Sequence, residues 1–331
     1  MHIKRSMVVT CAAVGLAGAM LAGGFAAAQD YPSRPVKVIV PFPPGGPVDL
    51  LARALGEGFK TRTGQTFVVE NRPGGNTIIA ANACKNAEPD GYTFCILTAS
   101  TISLNPYLYA NLTYNVERDL APVSNLVFTQ QVMLLHPSVP ANTLADLLKY
   151  AKANPGKLNF GSFGVGGDSH LVFEWLKAKA GVSMTHIPYG GAAPAMVAFL
   201  RGDVHLMYPV GAPAVLERVR SGQAKAIAVA DGTPNPNLPN VPSFSKAGLP
   251  PYDAKTWFGA FAPSRTPKPI VENLSGHLTA VLKSTAFHDR FVKLGGFDPV
   301  GNTPDAFRAF IAVDAKRGEE LVKLSGVKLT Q

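Results

Sequence analysis

The chain is poor in charge, with 16% of its residues Asp, Glu, Lys or Arg, and poor in cysteine, with three in 331 residues. It has no Lys/Arg blocks. Its basic residues are interleaved with acidic ones along the helical patterns, which excludes a nucleic-acid footprint. Past the first thirty residues no stretch approaches the roughly 20 uninterrupted apolar residues of a membrane span, so the mature chain is expected to be soluble. The signatures of catalysis are missing as well. There is no G-x-x-x-x-G-K-[ST] phosphate loop and no G-x-S-x-G nucleophile elbow. Gly164-Val165-Gly166-Gly167-Asp168-Ser169 contains G-x-G but follows no dinucleotide-binding unit with an acid about 20 residues on. His136, His170, His186, His205, His277 and His288 form no i, i+4 pair, which argues against a metal site. A Ser162 or Ser169 nucleophile beside His170 has no recognisable third member. No catalytic residue, metal or cofactor is expected.

What is present begins at the N-terminus. His2, Lys4 and Arg5 precede an uncharged apolar run from Met7 to Phe25, followed by Ala26-Ala27-Ala28. That order is expected to be a secretory signal over 1–28, cleaved on export to the periplasm. The alternative, a retained anchor, is opposed by Gly15, Gly18, Gly23 and Gly24 within the run. Cys11 lacks a lipobox before it and is expected to leave with the signal. The mature chain then holds 29 basic and 22 acidic side chains, a net +7 compatible with anionic ligands. Cys84 falls on an expected helix and Cys95 on the strand after it. In an oxidising compartment they either pair or stand as two small buried apolar residues, and sequence does not supply the Cα separation that a bond requires.

About 300 residues is too many for one core and suits two lobes. Strand-like runs alternate with helical patterns, as in Lys37–Phe42, Val48–Arg62, Thr66–Glu70, Thr77–Ala87 and Tyr92–Thr98. This spacing predicts βα units and a parallel sheet. Two apolar runs around Thr129-Gln130-Gln131 lead into a second α/β series from Leu144 to Ala230. A Pro/Asn-rich tract and a more helical tail follow, the tail being free to return to the first series.

Four strand-to-helix junctions are rich in glycine: Pro41 to Asp49, Asn71-Arg72-Pro73-Gly74-Gly75-Asn76, Ser162 to His170, and Tyr189-Gly190-Gly191-Ala192-Ala193-Pro194. Glycine there lets a ligand approach free backbone N–H groups at the positive end of a helix dipole. Any single junction is better explained by a tight turn needing positive φ. Four of them, split between two series and all at the carboxyl ends of strands, point to a shared anion site. Trp257 and Phe258 are expected in the core more than in the cleft.

From Tyr31 almost to the C-terminus run the segments YPSRPVKVIVPFPPGG, VVENRPGG, EPDGYTF, NPYLY, LAPVSNL, YAKANPGKLNFGS, HIPYGGAAPAM, AIAVAD, LPNVPSFSKAGLP, TWFGAFAPSRTPKPIV and PVGNTP. In this order they resemble the Bug-type extracytoplasmic solute receptors of tripartite tricarboxylate transporters. The resemblance implies an α/β, type II periplasmic-binding-protein fold, with two lobes, a cleft and a two-strand hinge. Lobe 1 is expected over 29–126 and 230–331, and lobe 2 over 127–229. The implied function is delivery of a small organic carboxylate to the membrane permease subunits by a monomeric receptor that does no chemistry. The family's site maps onto Phe42, Pro44, Gly45 and Gly46, with Thr98, Ser100 and Thr101, from one lobe. From the other it maps onto Ser162, Gly164, Ser169, His170, Tyr189, Gly190, Gly191 and Pro194. Val48, Asp168 and Pro209 depart from the family pattern. The loss of two polar groups at Val48 and Pro209 points to a ligand with more carbon surface, such as an aromatic or medium-chain carboxylate. Competing readings are a receptor reporting to a membrane sensor and an exported α/β hydrolase.

Overall fold

Short β-branched and aromatic runs build two mixed sheets. The computed structural model describes residues 31–231, 235–252, 256–293 and 296–329; the expected signal over 1–28 lies outside them. The strands are β1 (Val36–Val40), β2 (Phe67–Asn71), β3 (Thr93–Thr98), β4 (Leu120–Thr129), β5 (Val132–Leu135), β6 (Asn159–Ser162), β7 (Thr185–Pro188), β8 (Leu206–Met207), β9 (Lys225–Val229), β10 (Trp257–Pro263) and β11 (Phe297–Pro299). The first sheet has the order β11-β4-β10-β3-β1-β2 and the second β7-β6-β8-β5-β9. Among the described residues the helices of eight or more residues are α1 (Pro47–Thr63), α2 (Ile78–Lys85), α3 (Leu144–Ala153), α4 (Asp168–Ala180), α5 (Ala192–Arg201), α6 (Pro213–Arg220), α7 (Lys268–Leu282) and α8 (Pro304–Ser325).

β1 lies between β2 and β3, parallel to both. Its Val36, Val38, Ile39 and Val40 are all buried, as expected of a strand covered on both faces by crossover helices. α3 starts where its sequence says it should. Thr143 accepts from Asp146 N, and the Asp146 carboxylate reaches back to the Thr143 amide, a reciprocal cap on two otherwise orphan donors.

The chain passes between the sheets with little to spare. β4 pairs in the first sheet as far as Thr129, and β5 opens in the second at Val132, leaving only Gln130 and Gln131 between them. The return strand runs beside this crossing, since Thr129 N and Thr129 Oγ1 both donate to Thr256 O, at 2.8 and 3.1 Å. Two lobes joined by two adjacent crossings are the type II architecture that the sequence led one to expect. α8 packs on both lobes, against α4 and against the buried turn Ser100–Leu104. Its Asp314, buried, accepts from Trp257 Nε1 and Ser103 Oγ, each at 2.6 Å. Trp257 thus stands in the core, as its pattern indicated.

Cys84 on α2 and Cys95 on β3 are joined in a disulfide with their Cα atoms 6.0 Å apart. Both are fully buried, so the bond lies inside the first lobe.

Candidate ligand-binding cleft

The loop after β1 is organised by one carboxylate. Gly46 caps α1 in an extended conformation, and Pro47 takes the first helical position, where its missing N–H costs nothing. Gly45 sits at φ 83°, a backbone conformation that a side chain would strain. Asp49, in the first turn of α1 and 2% exposed, gathers the loop. Its Oδ2 accepts from Gly45 N and Arg53 Nε, and its Oδ1 from Arg53 Nη2 and Asn71 Nδ2, all at 3.0 Å. Asn71 also donates to Phe42 O at 2.9 Å, which binds β2 to the loop. Burial pushes the Asp49 pKa up, but hydrogen bonds from Arg53, Gly45 and Asn71 more than offset it and leave the carboxyl below its ordinary value.

In the second lobe the loop after β6 is held from behind. Ser162 Oγ donates to Gly164 O at 3.1 Å and lies 2.6 Å from His186 Nε2. Ser169 Oγ accepts from Phe163 N at 2.9 Å, and His170 Nδ1 from Gly166 N at 3.0 Å. His170 and His186 stack with ring centroids 3.9 Å apart. His170 Nε2 also lies 3.5 Å from Glu174, so both of its nitrogens face groups of its own lobe. Ser162 therefore meets His186, not the adjacent-in-sequence His170, and the pair serves to shape a loop.

Burial, and then the neighbouring His170, lower the His186 pKa to about 4. An unfolded imidazole protonates near pH 6.5, so between these values the unfolded chain binds the extra proton. Stability should be flat above about pH 6.5 and fall as pH drops towards 4. His205 and His277 are lowered by burial too and act with the same sign. Urea midpoints measured from pH 7.5 to 4 should show this slope, and His186→Gln should reduce it. An unchanged slope in that variant would remove His186 as its source.

The lobes meet across these loops. Asn76 and Thr77 of the loop after β2 carry positive φ of 47° and 73°, an uncommon conformation for non-glycine residues and a strained one for a β-branched side chain. Gly166 of the second lobe approaches so closely that a Cβ there would come within 3.2 Å of Asn76 Nδ2. Likewise a Cβ at Gly191 would stand 2.9 Å from Pro43 Cδ. Asp168 N donates to Ser100 Oγ at 3.3 Å across the cleft.

Between them remains a cavity of about 40 Å³. Its lining draws on the first turns of three helices: Gly46, Pro47 and Val48 at α1, Asp168 at α4, and Ala192 and Ala193 at α5. Phe42, Phe163, Val210 and Phe258 make the walls apolar, and Thr98, Gln131 and Thr256 add polar side chains. A groove of about 300 Å³ shares Phe42 and Phe163 with this cavity and adds Asn76, Tyr109, Gly164, Tyr189 and Gly190.

Of the residues singled out in the sequence, Phe42, Gly46, Thr98, Val48 and Asp168 line the cavity, and Gly164, Tyr189 and Gly190 line the groove. Ser100, Thr101, Ser162, Ser169 and His170 are buried and support the loops; Thr101 Oγ1, for example, meets Thr77 Oγ1 at 2.7 Å. Pro44, Gly45 and Pro194 are exposed outside both spaces. Pro209 O accepts from Val132 N, and the next residue, Val210, supplies the wall in its place. Phe258 lines the cavity although its strand pattern reads as core. Gln131 and Thr256 were not anticipated; the one signal was a polar Thr129-Gln130-Gln131 inside an apolar run.

Comparison with known proteins agrees with this architecture. Residues 51–327 match the model of the tripartite tricarboxylate transporter family receptor. Protein BugT of Bordetella pertussis is 35% identical over 307 residues, covering 91% of this chain and 92% of that one. The periplasmic binding protein BugD is 34% identical with a TM-score of 0.84, over 91% of this chain and all of that one. Rpa4515 of R. palustris, solved with adipate, is 31% identical with a TM-score of 0.86, over 91% and 100% of the two chains. With a family match over most of its length and relatives this similar from end to end, the chain belongs to the tripartite tricarboxylate transporter receptor family.

Proposed function

We propose that this chain is a periplasmic solute-binding protein that closes its two lobes on a small organic carboxylate and hands it, unchanged, to the permease subunits of a tripartite tricarboxylate-type transporter. The observation that carries this reading is the convergence of the N-termini of α1 and α5 on one mostly apolar cavity. The first amides of a helix have no intrahelical acceptor and carry the positive end of its dipole, so they suit an anion whose carbon body packs on Phe42, Phe163 and Phe258. The adipate found in Rpa4515 is a ligand of this kind. A first lobe that reaches Thr129 and resumes at Thr256, with Phe244 and Tyr252 packed in the core of the second, and export by a signal at 1–28 complete the reading; the lobe limits expected from sequence, 126/127 and 229/230, move to these two crossings. Val48, Val210 and the aromatic walls favour an aromatic or medium-chain carboxylate.

A thermal-shift screen against mono-, di- and tricarboxylates, aliphatic and aromatic, tests it. A true ligand at 100 times its Kd adds about 2.7 kcal/mol to stability and should be recovered intact after incubation. Stabilisation by none of them, or conversion of the one that binds, would overturn the reading.

A further inference from the structure

We propose that Asp168 makes this cleft selective for carboxylates whose other end carries a hydrogen-bond donor, an ammonium above all, against those ending in a second carboxylate. The proposal rests on the carboxylate-binding reading above and sharpens it. Among the described residues that line the cavity, Asp168 is the only one with an ionisable side chain. Its Oδ2 accepts from Gln131 Nε2 at 2.8 Å and from Thr256 Oγ1 at 2.9 Å. Among the described residues its Oδ1 takes no hydrogen bond, and no Lys or Arg forms an ion pair with it.

The cleft therefore has two unlike poles. The loops after β1 and β7 offer backbone amides at the starts of α1 and α5. The hinge side, where Gln131 follows the β4 crossing and Thr256 precedes β10, offers a carboxylate with spare acceptor capacity. Inside apolar walls a second ligand carboxylate beside Asp168 is repelled with little solvent screening, whereas an ammonium there is both attracted and hydrogen-bonded. The adipate found in Rpa4515 ends in the second carboxylate that this pole would disfavour.

Asp168→Asn tests this cleanly, because the amide oxygen still accepts from Gln131 and Thr256 while the charge is gone. Calorimetric affinities should be measured for succinate, glutarate and adipate, for the ω-amino acids of matching length, and for butanoate to hexanoate. The intact protein should favour the amino acids over the matching dicarboxylates by roughly tenfold or more, and Asp168→Asn should erase that preference. Tighter binding of the dicarboxylates, or a preference for amino acids that survives in Asp168→Asn, overturns the proposal. The plain monocarboxylates separate it from the broader reading. If they bind but the amino acids gain nothing, only the role of Asp168 falls; if no carboxylate binds, both fall.

Discussion

Gly318→Ala is expected to destabilise the protein by about 3 kcal/mol or more and to lower its Tm by several degrees. By helix propensity alone the change should help, since alanine is favoured over glycine by about 1 kcal/mol in a helix interior. The packing decides otherwise. Gly318 lies in α8 with its face against the backbone of the buried turn at Ser103, and an added Cβ would stand 2.0 Å from Ser103 O. Backbone in that position yields only if α8 moves off the first lobe. Such a shift strains the Asp314 contacts with Ser103 and Trp257, each 2.6 Å long, and leaves the buried carboxylate to its pairing with Arg317 of the same helix. Gly276→Ala in α7 is the control, because its Cβ would meet nothing within 4 Å and its backbone is helical. Urea denaturation should show that variant neutral or more stable by up to about 1 kcal/mol. Equal behaviour of the two variants would mean that the close approach at Gly318 is absent.

The second large effect is expected at Asp49, a residue that does not line the cavity. Asp49→Ala should weaken the carboxylate identified in the thermal-shift screen by roughly tenfold to a hundredfold and cost about 1–3 kcal/mol of stability. Its carboxylate satisfies Gly45 N and Asn71 Nδ2 in a part-buried setting, and without it these donors lose their acceptor. Arg53 is half exposed and regains water, which keeps the stability cost modest. The binding loss comes from the loop: Phe42 and Gly46, no longer held in place, must be ordered at the ligand's expense. Asp49→Asn retains one acceptor oxygen and should fall between the two. Calorimetry together with ligand-free melting separates these effects, and full affinity in Asp49→Ala would show that the loop holds its shape unaided.

Much of this protein is legible in its sequence because the signals are local. Alternating β-branched runs and 3.6-residue patterns place β1 and α1 within a residue or two of their observed limits. Glycines after strands mark the junctions that form the cleft, since a positive φ such as that of Gly45 is a property of one residue and its turn. The ordered family segments give the type II fold and the receptor family.

Tertiary structure alone decided the rest. Asp168 meets Gln131 and Thr256 across 37 and 88 residues of chain, and no periodicity or turn chemistry encodes so distant a pairing. It likewise chose His186 over the neighbouring His170 as the partner of Ser162, brought Cys84 and Cys95 within bonding reach, and moved the apolar wall from Pro209 to Val210. A sequence specifies which loops will be glycine-rich and which helices will begin beside them. Only the packing of two sheets about a crossing two residues long determines which of those helix ends face one another.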